Sequence, residues 1–163
     1  FKERFSIPES LEEIKSTWMD MARDKYTNKV PLKPGAREFL VWLRQQGIRT
    51  GIASSNGIEL VETVLKAQGI QEYLESVHTC CEVPKGKPAP DIYLLVAETL
   101  GVKPEECLVF EDVPMGILAG KNAGMRVCAV EDTFSAAQRK EKKELADYYI
   151  ESYDEIPRER MQP

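Results

Sequence analysis

Histidine is almost missing from this chain: His78 is the only one among 163 residues. One imidazole with no ligand pattern beside it leaves no zinc site of the usual Cys/His kind. It also removes Ser-His-Asp and Cys-His catalysis as leading mechanisms unless His78 itself takes part; His78 is expected at a strand edge. Cysteine is sparse as well. Cys80, Cys81, Cys107 and Cys128 show no Cys-x-x-Cys spacing. Three or four of them fall in predicted strands and read as small buried thiols of a reducing compartment, so a cytoplasmic location is the default expectation. No apolar run approaches the ~20 residues that a membrane span needs. Basic excess is absent too. With 22 Lys and Arg against 27 Asp and Glu, the net charge is −5. A general nucleic-acid binder, which draws its affinity from neutralising phosphates, is therefore disfavoured. A small anionic substrate is not, because one local positive pocket suffices for it. The first residue is Phe1 rather than Met, with no signal peptide after it. This points to a fragment or a trimmed chain.

What is present suits one domain with a sizeable core: 42% of residues are hydrophobic and 30% charged. The stretch with most chemical content is Cys107-Leu108-Val109-Phe110-Glu111-Asp112-Val113-Pro114-Met115-Gly116. A short apolar strand runs into two adjacent carboxylates, and then Pro and Gly open a helix. Acids at the end of a buried strand are costly unless a cation or proton compensates them. Glu111 and Asp112 read either as ligands of a divalent cation, Mg²⁺ by preference, or as a capping Asp beside a solvated Glu.

Strands and helices alternate along the rest of the chain. Residues 1–30 read as helical, with a capping box at Ser10–Glu13 and an apolar face at Leu11, Ile14, Trp18, Met21 and Ala22. Phe1, Phe5 and Trp18 are expected to pack against something. Val30–Gly35 is a candidate hinge. Strands are predicted at Ile48–Ala53, Ser76–Cys81, Cys107–Phe110, Arg126–Val130 and Tyr148–Ile150. Helices are predicted from Pro34 to Gly47 and over Ile58–Gln68, Pro90–Leu100, Met115–Ala123 and Thr133–Ala146. The pattern is that of an α/β protein with a Rossmann-like parallel sheet flanked by helices.

In such a fold the C-terminal strand ends share an edge where ligands bind. Ser54-Ser55-Asn56-Gly57 follows the first of these strands. The next is followed by a stiff loop holding Lys85 and Lys87. Glu111 and Asp112 follow the third. A hydroxyl, a lysine and paired acids at one edge suit phosphoryl transfer, with lysine and hydroxyl on phosphate oxygens and carboxylates on Mg²⁺.

Three segments resemble motifs of the haloacid dehalogenase-like (HAD) hydrolase superfamily. Gly51-Ile52-Ala53-Ser54-Ser55-Asn56 is similar to its second motif. Gly86-Lys87-Pro88-Ala89-Pro90-Asp91 resembles the third, in the form found in the β-phosphoglucomutase-like phosphatase branch. Val109–Ile117, with Ala119 and Ala123-Gly124-Met125, resembles the fourth. The likeness covers roughly residues 30–150. It implies that Ser54 binds the transferring phosphoryl group, helped by Ser55 and Asn56. It implies that Lys87, by its register in preference to Lys85, pairs with phosphate and with the family's nucleophile. Asp112 becomes the principal Mg²⁺ ligand, with Glu111 binding directly or through water. The implied activity is Mg²⁺-dependent hydrolysis of a small phosphate monoester such as a sugar phosphate. A phosphomutase of the same branch is the nearest alternative, and a non-catalytic phosphate-binding or interaction protein is the alternative from another class.

The family's first motif, Asp-x-Asp-Gly, is not found. Its first Asp forms an aspartyl-phosphate and its second acts as acid and base. Asp20 and Asp24 lie in a helical stretch, and Asp91 and Asp112 already belong to other motifs. Residues 1–30 resemble instead the last helices of the family's helical cap, and 31–163 the core without its first strand. That strand lies centrally in the family, so its loss should open a gap of ~10 Å between strands normally ~4.8 Å apart. The sheet is then expected to repack, to borrow a strand, or to be completed by a longer polypeptide, with the last favoured. In the cap's absence Phe1, Phe5 and Trp18 would form an exposed apolar face.

Overall fold

The structure, a computed structural model, describes residues 2–158. Helix α1 spans Leu11–Asn28. Its start is the reciprocal box legible in the sequence: the Ser10 hydroxyl accepts from the Glu13 amide at 3.2 Å, and the Glu13 carboxylate accepts from the Ser10 amide at 2.8 Å. The Ser10 amide first, and then the Ser10 side chain, hold the Glu13 carboxyl below its usual range. No residue of α1 is buried. It packs on one side against the later helix at Ile58–Gln68.

The hinge leads through Gly35, whose φ of 73° is a left-handed conformation that favours glycine, into α2 (Ala36–Gln45). Phe39 and Leu43 are its buried residues. Strands and helices then alternate: β1 (Gly51–Ser54), α3 (Ile58–Gln68), β2 (Ser76–Thr79), α4 (Asp91–Leu100), β3 (Leu108–Glu111), α5 (Pro114–Asn122), β4 (Arg126–Val130), α6 (Arg139–Leu145) and β5 (Tyr148–Ile150). Every strand pairing is parallel. The α/β class and flanking helices are as the alternation indicates.

Among the described residues the strands form two sheets, β1-β2 and β3-β4-β5, with no pairing between β1 and β3. The predicted interruption of the sheet thus falls between these two strands. Strand β4 is paired on both sides, and Val127 to Val130 are all buried, the near-continuous apolar run of an interior parallel strand. One apolar cluster spans both sheets: Ile92, Tyr93, Val109, Ile117, Val127 and Ala129 form its buried centre, and Ala53 and Cys80 from the first sheet's end pack against it. Helix α2 joins through an aromatic group, with Phe39 edge-on to Phe110 at 5.4 Å and Tyr153 packed beside both.

Several sequence expectations need correction. Cys80 and Cys81 are not strand residues. They sit in a short helical turn, Cys80–Glu82, because the Glu82 carboxylate accepts from the Thr79 amide at 2.7 Å and turns the chain. Only Cys128 lies in a strand. The first core strand starts at Gly51 rather than Ile48, where its partner begins at Ser76. The expected helix over Thr133–Ala146 is a turn at Ala136–Gln138 followed by the short α6. Trp18 does not become buried: it is 54% exposed. Phe5 is 58% exposed and lies under the Arg4 guanidinium. Phe1 lies outside the described residues.

Candidate active site

The first strand exit is a turn closed by its own side chains. The Ser54 hydroxyl accepts from the Asn56 amide at 3.1 Å, so its proton remains to donate elsewhere. The Asn56 amide group donates to the Tyr26 hydroxyl of α1 at 3.2 Å, which ties this turn to the N-terminal helix. Ser55 Oγ lies 3.7 Å from Cys80 Sγ.

At the second exit, His78 is a strand residue with a structural task. Its Nδ1 lies 2.7 Å from Glu82 and its Nε2 2.9 Å from Thr99, so it fastens the end of β2 to α4. The His78 ring, followed by the Thr79 amide, holds the Glu82 carboxyl below its usual range. The following loop carries the two candidate lysines apart. Lys85 is exposed, whereas Lys87 turns inward and is 12% exposed.

Lys87 forms an ion pair with Glu111, itself only 10% exposed. The Tyr93 hydroxyl donates to the same Glu111 oxygen at 2.6 Å, and the other oxygen accepts from the Asp112 amide at 3.1 Å. The Lys87 ammonium also lies 4.9 Å from the centre of the Tyr93 ring. The Glu111 carboxylate is therefore satisfied by protein donors, as a buried charge must be. Burial first, and then the Glu111 charge, push the Tyr93 hydroxyl's pKa up. Asp112 and Cys80 act on Tyr93 in the same direction. Gly116 makes room for the group: a Cβ there would overlap the Glu111 carboxylate.

Asp112 is more open, with 38% of its side chain exposed, and Lys33 lies 3.4 Å from its carboxylate. Lys33 also pairs with Asp132 and donates to the Glu131 carbonyl at 3.2 Å. That pairing holds the Asp132 carboxyl below its usual range.

The predicted site residues thus fall into two groups. Lys87, Glu111 and Asp112 come together. Ser54, Ser55 and Asn56 stand at the neighbouring exit, and among the described residues no hydrogen bond joins them to the first group. Cys80 lies between, touching Ser55 and within electrostatic reach of Tyr93. The sequence reading missed Tyr93, which looks like one more apolar residue of α4. It also missed Lys33, whose only signal was a charge inside the Pro-rich hinge.

The donor chemistry fits Mg²⁺. No group of three or more His, Cys, Asp or Glu side chains that could hold a metal occurs among the described residues. Mg²⁺ commonly uses one or two carboxylates and completes its octahedron with phosphate oxygens and water. Asp112, with hard oxygens at an open strand end, meets that requirement. Glu111 could join only by exchanging a protein donor or acting through water.

A family model, haloacid dehalogenase-like hydrolase, matches residues 5–124. The chain belongs to this family. Hexitol phosphatase B of Escherichia coli K12 is 33% identical over 126 residues, covering 77% of this chain and 56% of the relative. The phosphorylated carbohydrates phosphatase of Thermotoga maritima is 32% identical over 123 residues, covering 76% and 57%. The chain spans about half the length of the curated relatives it matches. CbbY from Rhodobacter sphaeroides, solved with xylulose-(1,5)bisphosphate, superposes with a TM-score of 0.81 at 24% identity, over 92% of this chain and 67% of that one. That likeness shows the HAD-type fold. No helix among the described residues is long and apolar enough to cross a membrane.

Proposed function

We propose that this chain supplies the phosphate-binding and Mg²⁺-binding parts of a site that hydrolyses a small phosphate monoester, a sugar or sugar-alcohol phosphate. The observation that carries the reading is the Lys87–Glu111 pair with Asp112 beside it at the end of β3. A shielded ammonium next to an open carboxylate offers a cation for phosphate oxygens and a seat for a metal within one small volume. Lys87 neutralises charge on the transferring phosphoryl group, and Ser54 donates to one of its oxygens, with Ser55 and Asn56 as the turn around it. Asp112 holds Mg²⁺, and Glu111 fixes Lys87 and the Asp112 amide. When bound, the metal screens the anionic phosphate from the attacking group.

The nucleophile in this reading is the first aspartate of an Asp-x-Asp loop on a strand between β1 and β3. The split between the two sheets supports that placement. So do the relatives, which are matched over only 56% and 57% of their own length and are named as phosphatases of hexitols and phosphorylated carbohydrates. In this reading residues 1–30 act as part of the cap, and 31–163 as part of the core.

The test uses the complete polypeptide containing this chain, incubated with hexose and hexitol phosphates. The expected result is Mg²⁺-dependent phosphate release that Lys87→Ala and Asp112→Ala each reduce by about 10²–10³. Full turnover in chelator, or in either variant, overturns the site. With a hexose 1-phosphate, free phosphate marks the phosphatase and an isomeric phosphate the mutase.

A further inference from the structure

Lys142 is fully buried, at 0% exposure, in a helix whose other charged residues are exposed. A buried ammonium is expensive unless its donors are met. Its Nζ donates to the Val130 carbonyl at 3.3 Å and to the Ser135 hydroxyl at 2.9 Å, and lies 3.4 Å from the Glu131 carboxylate. Ser135 is 2% exposed, and its hydroxyl lies 2.6 Å from the main-chain carbonyl of Asp112.

The polarity of this chain of bonds is forced. An ammonium has only donors, so Ser135 must accept from Lys142. A carbonyl only accepts, so the single Ser135 proton goes to Asp112. Lys142 thus leaves Ser135 one orientation, with its proton on the Asp112 carbonyl. The preceding Asp112 amide is held by Glu111. Both peptide groups flanking the Asp112 Cα are therefore pinned, one from β3 and one from the loop after β4.

We propose that Lys142, acting through Ser135, is a positioning residue that presets the backbone of Asp112 for cation binding. This rests on the reading of Asp112 as the Mg²⁺ ligand. Glu131 does not require Lys142 for its own charge, because Arg139 at 2.9 Å and the Tyr149 hydroxyl also bind it. A lysine placed only for packing or for Glu131 would not need the serine relay.

The experiment is calorimetric titration of MgCl₂ into the complete polypeptide and into Ser135→Ala, Lys142→Met and the double variant, with a melting temperature for each. Losing such outer supports commonly weakens metal binding 10- to 100-fold. The expected result is about tenfold weaker Mg²⁺ binding in Ser135→Ala. Lys142→Met should show a similar loss, and the double variant no more than the larger single effect, because both act on one bond. Unchanged Mg²⁺ affinity in folded Ser135→Ala, or losses that multiply in the double variant, overturns the positioning role even if melting temperatures fall. Ser135→Ala decides alone if Lys142→Met does not fold. An unaltered protein that binds no Mg²⁺ overturns the metal reading itself and this inference with it, a result distinct from the others.

Discussion

Glu111 is surrounded by donors: Lys87, Tyr93 and the Asp112 amide all spend a hydrogen on it. Lys87→Ala would leave that carboxylate 10% exposed without its cation. The expected cost to stability is about 3–5 kcal/mol, in addition to the loss of turnover. Pairing Lys87→Met with Glu111→Gln should recover much of the stability and none of the activity; urea unfolding of Lys87→Ala and of the double variant checks this. Gly116→Ala forces the Glu111 carboxylate out of its place, and a drop of about 1–3 kcal/mol is expected. The two acids were legible in the sequence because their place at the end of a strand is local, and Lys87 through its register in the segment that resembles the third motif. Tyr93 was not, because periodicity shows that a residue faces inward but not that its hydroxyl meets a carboxylate from another strand.

At the scale of the element, the loop and helix after β4 behave differently from their composition. The α6 sequence, Arg139–Leu145, reads as a solvated charged helix, yet one of its three lysines is the largest fully buried side chain among the described residues. Its neighbour Glu131 is held at a pKa of about 2, first by Arg139 and then by the Tyr149 hydroxyl. A depressed carboxyl contributes stability above its unfolded pKa and loses that contribution as pH falls through the folded one. For Glu131 this window runs from the ordinary value of 4.5 down to about 2. Glu131→Gln should therefore lower the urea midpoint at pH 7, and the difference from the unaltered protein should shrink as pH falls below 4.5. A gap independent of pH would remove the charge from the explanation. Helix α1 offers the opposite case, a helix without buried residues whose start depends on a local box. Ser10→Ala should cost about 1 kcal/mol of local stability, seen as faster amide exchange across Leu11–Asn28.

For the whole molecule, the divided sheet is the dominant feature. Strands β1 and β3 are each paired on one side, while β4 is paired on both. Amide exchange should be slowest in β4 in this chain, and β1 and β3 should gain protection together in a polypeptide that also carries the Asp-x-Asp strand. Gain in only one of them would place that strand elsewhere. By itself the sequence determined the order of strands and helices, the parallel pairing they impose, and the chemical character of each strand exit. Those properties follow from neighbours a few residues apart: apolar periodicity, capping side chains, and glycines after helices. Only the tertiary structure decided which exits meet. It put Tyr93 on Glu111, drew Lys33 from the hinge to Asp112 and Asp132, and buried Lys142 beneath Ser135. Those outcomes depend on residues 7 to 99 positions apart finding partners for charges that folding shields from water, and the local pattern of a sequence does not encode such pairings.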